Sequence, residues 1–316
     1  MIGKGVQDRE IPPPEGQYPR SPRGRELAEI ARSIVIMRDM VFARRPERTL
    51  RLDVYRPGDK ARGPMPAILS IGVAAWKYQR KEFQLNLENL PPEPMPFLYP
   101  PCLVQRGYVI VSAECRVSGE ATFPAQVHDC KCAIRWMREH ARDLGIDPER
   151  IGMMGGSASG HLAAMMAVTG PADGLEDDSC YPRQSSHISA AYSYAGLYDF
   201  EFYERIPGDE TLRTQIREFL GGAYRLIPDV YRRASPVHYV SARTAPLLLM
   251  HGRQDRRVPF EQQGHFTRVL KKARVPVEAI EIENYAHSFL PGLSPNPSYI
   301  ELESRIYHFF DRYMKK

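Results

Sequence analysis

Short apolar segments alternate with amphipathic segments along most of this chain, and this alternation constrains the fold more than any other feature. Segments with strand patterns lie at 49–57, 65–71, 107–115, 146–156, 190–196, 245–252 and 275–283, of which 65–71 and 107–115 are short apolar runs. Segments with helical spacing of apolar residues lie at 123–145, 159–170, 260–273 and 298–316. Continuous apolar runs are typical of strands buried on both faces, and strand–helix alternation is typical of a parallel sheet. The sequence therefore predicts an α/β protein with a mostly parallel central sheet and helices on both faces.

Two segments interrupt this alternation and define the domain organisation. Residues 1–35 begin with a polar stretch that holds five prolines between positions 12 and 22, which favours a surface arm. Residues 77–101 end with six prolines in eleven residues. A loop this long inside a compact domain is usually functional or disordered, so we interpret it as a lid or pocket wall, with a solvent-exposed excursion as the alternative. We predict a single domain over 36–316.

Composition excludes several classes of protein. The chain has 43 Lys and Arg against 38 Asp and Glu, and a net charge of +5 is too small to favour a nucleic-acid binder. Its five cysteines lack a C-x-x-C spacing, so we expect neither a disulfide framework nor a zinc site. The N-terminus has no signal-like apolar region, and no run reaches the length of about 18 apolar residues that a membrane span needs. These features predict a soluble, reduced, cytoplasmic protein.

The strongest chemical signal is GMMGGSASGH at 152–161, between a predicted strand and a predicted helix. A serine at the apex of a strand–turn–helix has its hydroxyl exposed at the carboxyl end of the sheet, and small residues two positions away on each side avoid clashes there. Gly155 and Ser159 are those neighbours of Ser157. Ser159 is the weaker nucleophile candidate because its own neighbours are Ser157 and His161. The segment matches neither phosphate-binding glycine motif.

A serine hydroxyl needs a base and a group that orients the base. Asp255 follows the apolar run 245–252, and His287 follows the run 275–283. The chain order Ser157, Asp255, His287 is the order of a hydrolase triad in which each member follows a strand. Alone, Asp255 and His287 would be ordinary loop residues, but their joint position makes coincidence a weak explanation.

Other ionisable candidates have weaker positions. Asp199 follows the run 190–196 and is the reserve acid. His128 and His161 lie on predicted helices, where packing or capping roles are expected. His251 directly precedes the acid loop and is expected to help shape that loop.

Taken together, these segments resemble α/β-hydrolase esterases, the group that includes hormone-sensitive-lipase-like carboxylesterases and BD-FAE-type acetyl and feruloyl esterases. The resemblance covers roughly residues 48–314 and includes LRLDVYRP, the stretch from RGYVIVSAEC to GGSASGHLAA, ASPVHYV, PLLLMHGRQDRRVPFEQ and NYAHSF. It implies the α/β-hydrolase fold with about eight strands, with Ser157 as nucleophile, His287 as general base and Asp255 as its orienting partner. It also implies no metal or organic cofactor, a small ester substrate with a short acyl or aryl group, and a monomer or homodimer.

One departure from this family concerns the oxyanion hole. Such esterases usually carry H-G-G-G-W after the strand equivalent to 65–71, whereas residues 72–76 read GVAAW. Backbone N–H groups do not require glycine unless φ is positive. We therefore expect Ala158 to supply one oxyanion donor and Val73 or Ala74 to supply the second.

Aromatic and basic residues supply candidates for substrate contacts. The aromatic candidates for a pocket wall are Trp76, Tyr78, Phe97 and Tyr99, for which a plain packing role is an equal alternative. Three arginines flank the acid loop and would favour an anionic substrate or, as the more common case, form a solvated face: Arg253, Arg256 and Arg257.

The sequence therefore predicts a serine hydrolase of carboxylic esters that works through an acyl-enzyme. Two alternatives stay open. The same triad cleaves amides, as in a formamidase or arylamidase, because fold and triad do not select the scissile bond. A non-catalytic binding protein on this fold is the less favoured alternative, kept open by the missing glycines at 73–75.

Overall fold

The computed structural model describes residues 33–58, 63–79, 100–287 and 296–315. The strands in these ranges are β1 (Ile34–Arg44), β2 (Thr49–Pro57), β3 (Met65–Ile71), β4 (Val73–Ala74), β5 (Tyr78–Gln79), β6 (Val109–Ala113), β7 (Ile146–Gly156), β8 (Ala191–Tyr194), β9 (Leu247–Gly252) and β10 (Val277–Ile282). The helices are α1 (Pro100–Gln105), α2 (Ala125–Glu139), α3 (Ala141–Leu144), α4 (Ala158–Val168), α5 (Phe200–Arg205), α6 (Glu210–Leu220), α7 (Pro228–Ala234), α8 (Glu261–Lys272) and α9 (Tyr299–Met314).

The central sheet has eight strands in the described ranges, in the order β1-β2-β6-β3-β7-β8-β9-β10. Strands β1, β2 and β6 pair antiparallel, and every later pair of neighbours is parallel. A short hairpin of β4 and β5 stands apart from this sheet. The predicted fold class, a mostly parallel sheet of about eight strands with helices, is confirmed.

Apolar side chains cover both faces of the sheet. One core includes residues of α2 and α4, such as Ile134 and Leu162. The second core includes residues of α9, such as Ile306 and Phe310. Burial on both faces explains why the central strands are continuous apolar runs in the sequence. No helix in the described ranges has both the length and the apolar character that crossing a membrane requires.

Strand β1 was missing from the sequence interpretation, and it begins at Ile34, inside the segment assigned to the arm. Two register shifts interrupt its pairing with β2, and Asp39, which lies within the first of them, has φ 57°. The Asp39 N–H donates to the Asp53 carboxylate at 2.8 Å. Because bulges break the two-residue alternation of a strand, the sequence pattern does not indicate one. Residues 1–32 of the predicted arm and 80–99 of the predicted insertion lie outside the described residues.

The expectation of a reduced chain is wrong for one pair of cysteines. Cys132 on α2 is bonded to Cys180, 48 positions later, with a Cα–Cα distance of 5.5 Å. A disulfide can be predicted from sequence spacing only when the cysteines form a recognisable pattern. Here the fold brings together two cysteines from distant segments. The other three cysteines are buried thiols.

A buried ion network joins α2 to the loops around it. Asp129 is fully buried and accepts hydrogen bonds from the Arg116 backbone N–H and guanidinium at 2.9 Å. Arg45 donates to the same carboxylate at 3.1 Å and to Asp177 at 2.6 Å. Charges taken out of water are tolerable only when they are paired, so the Asp129 carboxylate compensates two guanidinium groups.

We expect Asp129→Ala to lower the free energy of unfolding by about 3–5 kcal/mol, because it leaves two partly buried guanidinium groups without their shared carboxylate. Urea denaturation measures the change. Glu278→Ala is the matched control, since it breaks the exposed Glu278–Arg305 pair and should cost at most about 1 kcal/mol. Equal effects of the two substitutions would contradict this account of the network.

Candidate active site

Ser157 occupies the sharp turn between β7 and α4. Its backbone has φ 55° and ψ −119°, a conformation that is strained for any residue other than glycine. The Ser157 N–H donates to the carbonyl of Tyr194 at 2.8 Å. Gly155 approaches the first turn of α4 so closely that a Cβ there would lie 2.5 Å from the Ser159 carbonyl carbon. This turn places the Ser157 side chain at the carboxyl edge of the sheet, as predicted for a strand–turn–helix serine.

The predicted base and acid lie at the same edge, and the structure joins all three residues by hydrogen bonds. His287 Nε2 lies 2.9 Å from Ser157 Oγ, and His287 Nδ1 lies 2.7 Å from Asp255 Oδ2. The three residues follow β7, β9 and β10, and the carboxyl ends of these parallel strands share one edge. The His287 side chain is 15% exposed, whereas that of Asp255 is fully buried.

The protonation state of Asp255 determines the direction of these hydrogen bonds. Burial raises the pKa of Asp255, but hydrogen bonds from His251 and His287 outweigh burial and lower the pKa to about 2. An ionised carboxylate can only accept, so His287 Nδ1 carries a proton and donates it to Asp255. When the imidazole is neutral, Nε2 is therefore a bare acceptor for the Ser157 hydroxyl.

His251 contacts the acid directly, which extends its predicted role of shaping the acid loop. Its ring is fully buried, and Nε2 lies 3.0 Å from Asp255 Oδ2 and 2.8 Å from the Val258 carbonyl. Both partners are acceptors, so His251 Nε2 carries the proton. Asp255 Oδ2 thus accepts from two imidazoles, and the second one would not be identified from the order of triad residues alone.

Backbone contacts fix the path of the loop that carries His287. The Tyr194 hydroxyl donates to the carbonyl of Ala286 at 3.2 Å, and the Gln254 N–H donates to the carbonyl of Tyr285 at 2.9 Å. The base loop is therefore attached to the ends of both β8 and β9. These attachments restrict where the imidazole can lie relative to Ser157.

The reserve acid Asp199 does not join the triad. Its carboxylate accepts from the Phe202 N–H at the start of α5 and pairs with His265 at 3.1 Å. Asp199, Glu201 and His238 place one potential metal-ligating atom each within 4.8 Å of one another. Glu201 accepts from the Tyr224 hydroxyl and pairs with His238, so hydrogen bonds within the protein account for this cluster.

The loop predicted to supply the second oxyanion donor lies against α4. Val73 and Ala74 form β4, with Val73 buried and Ala74 exposed. Ala75 and Trp76 then have positive φ values of 50° and 53°, so the turn that connects β4 to β5 is strained in a chain without glycine there. Ala158 begins α4, where free backbone N–H groups point out of the helix.

Trp76 does not present its ring to a pocket. The side chain is 2% exposed and stacks on Phe219 with a centroid distance of 4.7 Å. Its indole N–H donates to His161 Nδ1 at 3.1 Å, and His161 Nε2 donates to the Ala234 carbonyl at 2.8 Å. Trp76 therefore has the packing role and not the pocket-wall role. His161 packs in the interior, as expected from the sequence.

The structure describes some of the remaining candidates for substrate contacts and not others. Tyr78 is 49% exposed on β5, whereas Phe97 and Tyr99 lie outside the described residues. Three arginines near the acid differ in their partners: Arg253 pairs with Glu281, Arg257 donates to Gln215, and Arg256 is exposed.

Comparison with known proteins shows the family of this chain. A profile of the BD-FAE family matches residues 52–270. The chain belongs to the BD-FAE family. Esterase LipQ of Mycobacterium tuberculosis is 30% identical over 241 residues, which are 75% of this chain and 54% of LipQ. The probable carboxylic ester hydrolase LipM of the same organism is 29% identical over 77% of this chain and 54% of LipM. This BD-FAE chain thus spans about half the length of the curated relatives it matches.

Solved structures share the fold of this BD-FAE protein. Esterase 2 of Thermogutta terrifontis superposes with a TM-score of 0.66 and 28% identity, over 86% of this chain and 90% of that one. The form of that esterase phosphorylated by paraoxon superposes with a TM-score of 0.69 and 26% identity, over 88% of this chain and 94% of that one. A carbohydrate esterase from gut microbiota has the same fold, with a TM-score of 0.71 and 23% identity over 89% of this chain and 96% of that one.

We expect His161 to make stability depend on pH. Burial lowers the pKa of His161 to about 4, whereas the unfolded imidazole titrates near 6.5. The unfolded chain therefore binds more protons between these values, and the free energy of unfolding should fall by up to about 3 kcal/mol as pH decreases from 6.5 to 4. Urea denaturation across this range should show a shallower decrease for His161→Gln than for wild type.

His308→Gln provides the control for this measurement, because His308 is exposed on α9 and bonds only to Ser304 Oγ among the described residues. Its pH profile should follow that of wild type. A His161→Gln profile parallel to wild type would show that the buried imidazole does not carry this dependence.

Proposed function

We propose that this protein is a serine hydrolase that cleaves carboxylic esters through an acyl-enzyme. The observation that carries the proposal is the continuous hydrogen-bonded series Ser157–His287–Asp255, with distances of 2.9 and 2.7 Å. A serine, a base and an orienting carboxylate in this arrangement are the components of nucleophilic acyl transfer. The names of LipQ and LipM, as an esterase and a probable carboxylic ester hydrolase, support the same activity.

The reaction follows from the position of each group. Ser157 Oγ adds to the acyl carbon while His287 Nε2 takes the hydroxyl proton, and the Asp255 carboxylate stabilises the resulting imidazolium. The Ala158 N–H and a second N–H from Val73 or Ala74 bind the oxyanion of the tetrahedral intermediate. The intermediate expels the alcohol, which takes the proton from His287. Water then attacks the Ser157 ester with His287 as base and releases the carboxylic acid.

The substrate class we propose is a small ester with a short acyl group or an aryl alcohol. Exposed Tyr78 lies on β5, which pairs with the β4 segment that we assign to the oxyanion hole. An aromatic face there offers a surface for a sugar ring or an aryl leaving group. The triad itself does not distinguish esters from amides, so substrate comparison has to decide between them.

We expect Ser157→Ala to lower kcat on 4-nitrophenyl acetate by at least about 10³-fold, because the acyl-enzyme cannot form. Paraoxon should phosphorylate wild type at the peptide that contains Ser157, as measured by mass spectrometry, and leave Ser157→Ala unmodified. Ser189→Ala is the control, since this hydroxyl bonds to the Glu149 carbonyl and does not contact the triad residues. Wild type that neither hydrolyses the ester nor reacts with paraoxon would eliminate the enzyme proposal and favour a binding protein.

A panel of acyl donors tests the choice of bond. We expect turnover of 4-nitrophenyl acetate or acetylated xylo-oligosaccharides to exceed that of N-formylkynurenine and 4-nitroacetanilide in kcat/KM. The opposite order would identify an amide hydrolase that uses the same triad. Ser157→Ala measured on each substrate separates enzymatic turnover from background hydrolysis.

A further inference from the structure

Two departures from the family pattern meet in this structure. The loop after β3 lacks the glycines of H-G-G-G-W, and Ser159 stands where the G-x-S-x-G motif of such serine hydrolases has its second glycine. Ser159 Oγ lies 2.5 Å from the carbonyl oxygen of Ile71 and 2.9 Å from that of Val73. The hydroxyl that is unusual in one motif therefore contacts the loop that is unusual in the other.

Ser159 Oγ contacts both the backbone N–H and the backbone carbonyl of Val73. Its side chain is buried, and the Val73 N–H points to Ser159 Oγ at 3.4 Å. A serine hydroxyl has one proton and two acceptor positions, so it can donate to a carbonyl and accept from this N–H together. A glycine or alanine at position 159 would supply neither bond.

The Ser159 side chain fits at this position because residue 155 is a glycine and has no side chain of its own. A Cβ on Gly155 would lie 2.6 Å from the Ser159 Cβ, a separation that real Cβ atoms do not adopt. The glycine two residues before Ser157 and the serine two residues after it thus pack directly on each other. This contact fixes the position of Ser159 on the first turn of α4 and, through its hydroxyl, the position of the loop.

The same contact distinguishes the two candidates for the second oxyanion donor. The N–H of Val73 faces Ser159, and the Val73 side chain is buried. Ala74 follows on the exposed side of the loop, immediately before the two residues with positive φ. Because neither Ala75 nor Trp76 has the conformational freedom of glycine, the loop needs external contacts to hold this shape.

We infer that Ser159 is a positioning residue: it holds the oxyanion loop, residues 72–76, in place of the missing glycines and so sets where the N–H groups of that loop lie relative to Ser157. This inference rests on the proposed ester hydrolysis. Ser159 does not touch the reacting atoms, since its hydroxyl contacts the loop backbone. An N–H that is displaced from the oxyanion position costs more in the transition state than in the bound substrate, so its loss should lower kcat and leave KM nearly unchanged.

Ser159→Gly tests the inference sharply, because it restores the glycine that the motif usually carries. We expect kcat on 4-nitrophenyl acetate to fall by about 10- to 100-fold, less than the 10²–10³-fold typical for complete loss of one donor, with KM within about threefold of wild type. Ser159→Ala should behave alike. Ser159→Cys keeps a side chain of similar shape with a weak donor and should also lose kcat.

Ser193→Ala is the matched control for loss of a buried hydroxyl. Ser193 Oγ donates to the Gly160 carbonyl on the same helix and lies 2.8 Å from the Tyr198 hydroxyl, without contact to the oxyanion loop. Its kcat should stay within about twofold of wild type even where its melting temperature falls. Circular dichroism and thermal melts identify the variants that are folded, and at least Ser159→Cys is expected to be among them.

A readout specific to the oxyanion separates positioning from general packing. The rate ratio between an aryl acetate and its thionoacetate should fall in the Ser159 variants, because sulfur accepts hydrogen bonds weakly and gains little from an oriented N–H. The ratio should not change in Ser193→Ala. If wild type is active and Ser159→Gly hydrolyses the ester at the same rate or faster, this inference is wrong and ester hydrolysis stands. If wild type is inactive, the proposed function itself is wrong.

Discussion

The buried carboxylate of Asp255 is the group on which the geometry of the site depends. Oδ2 accepts from His287 and His251, and Oδ1 accepts from the N–H groups of Arg257 and Val258 at 2.9 Å each. Burial raises the pKa of this carboxyl, but the hydrogen bonds and charges of His251 and His287 lower it to about 2 and keep the group ionised. The stabilisation they provide is fully present above the ordinary pKa of 3.8 and is lost as pH falls toward 2. When the imidazoles are neutral, the ionised acceptor selects one tautomer for each of them.

Helix α4 organises the other half of the site. Its first residue, Ala158, directly follows Ser157, and two further residues of its first turns contact the loop that we assign to the oxyanion hole. Ser159 contacts the carbonyls at the start of that loop, and His161 accepts from the indole of Trp76 at its end. A loop with positive φ at two non-glycine residues persists only when its surroundings determine its shape, and α4 provides part of those surroundings.

The sheet and the meeting of Ser157, His287 and Asp255 at one edge could be predicted from the sequence because both depend on local pattern. Buried strands are apolar runs, and residues that follow parallel strands meet at one edge whatever the details of packing. Contacts between distant segments leave no such pattern. The bond from Trp76 to His161 joins residues 85 positions apart, and the pairing of Cys132 with Cys180 is equally invisible in spacing. Strand β1 escaped prediction for a different reason, since its bulges remove the alternation by which a strand is identified.

The order of strands has a consequence for the length of the base loop. Two strands, β8 and β9, separate β7 from β10, so the origins of nucleophile and base lie about 14 Å apart across the sheet at about 4.8 Å per strand. His287 lies five positions after Ile282, a distance that an extended chain spans with at most about 17 Å. Hydrogen bonds attach the loop to the intervening strand ends through Gln254 and Tyr194. The length of this loop therefore matters for the position of the His287 imidazole. A deletion would shorten the distance that the loop can span, and an insertion would let the imidazole move away from Ser157.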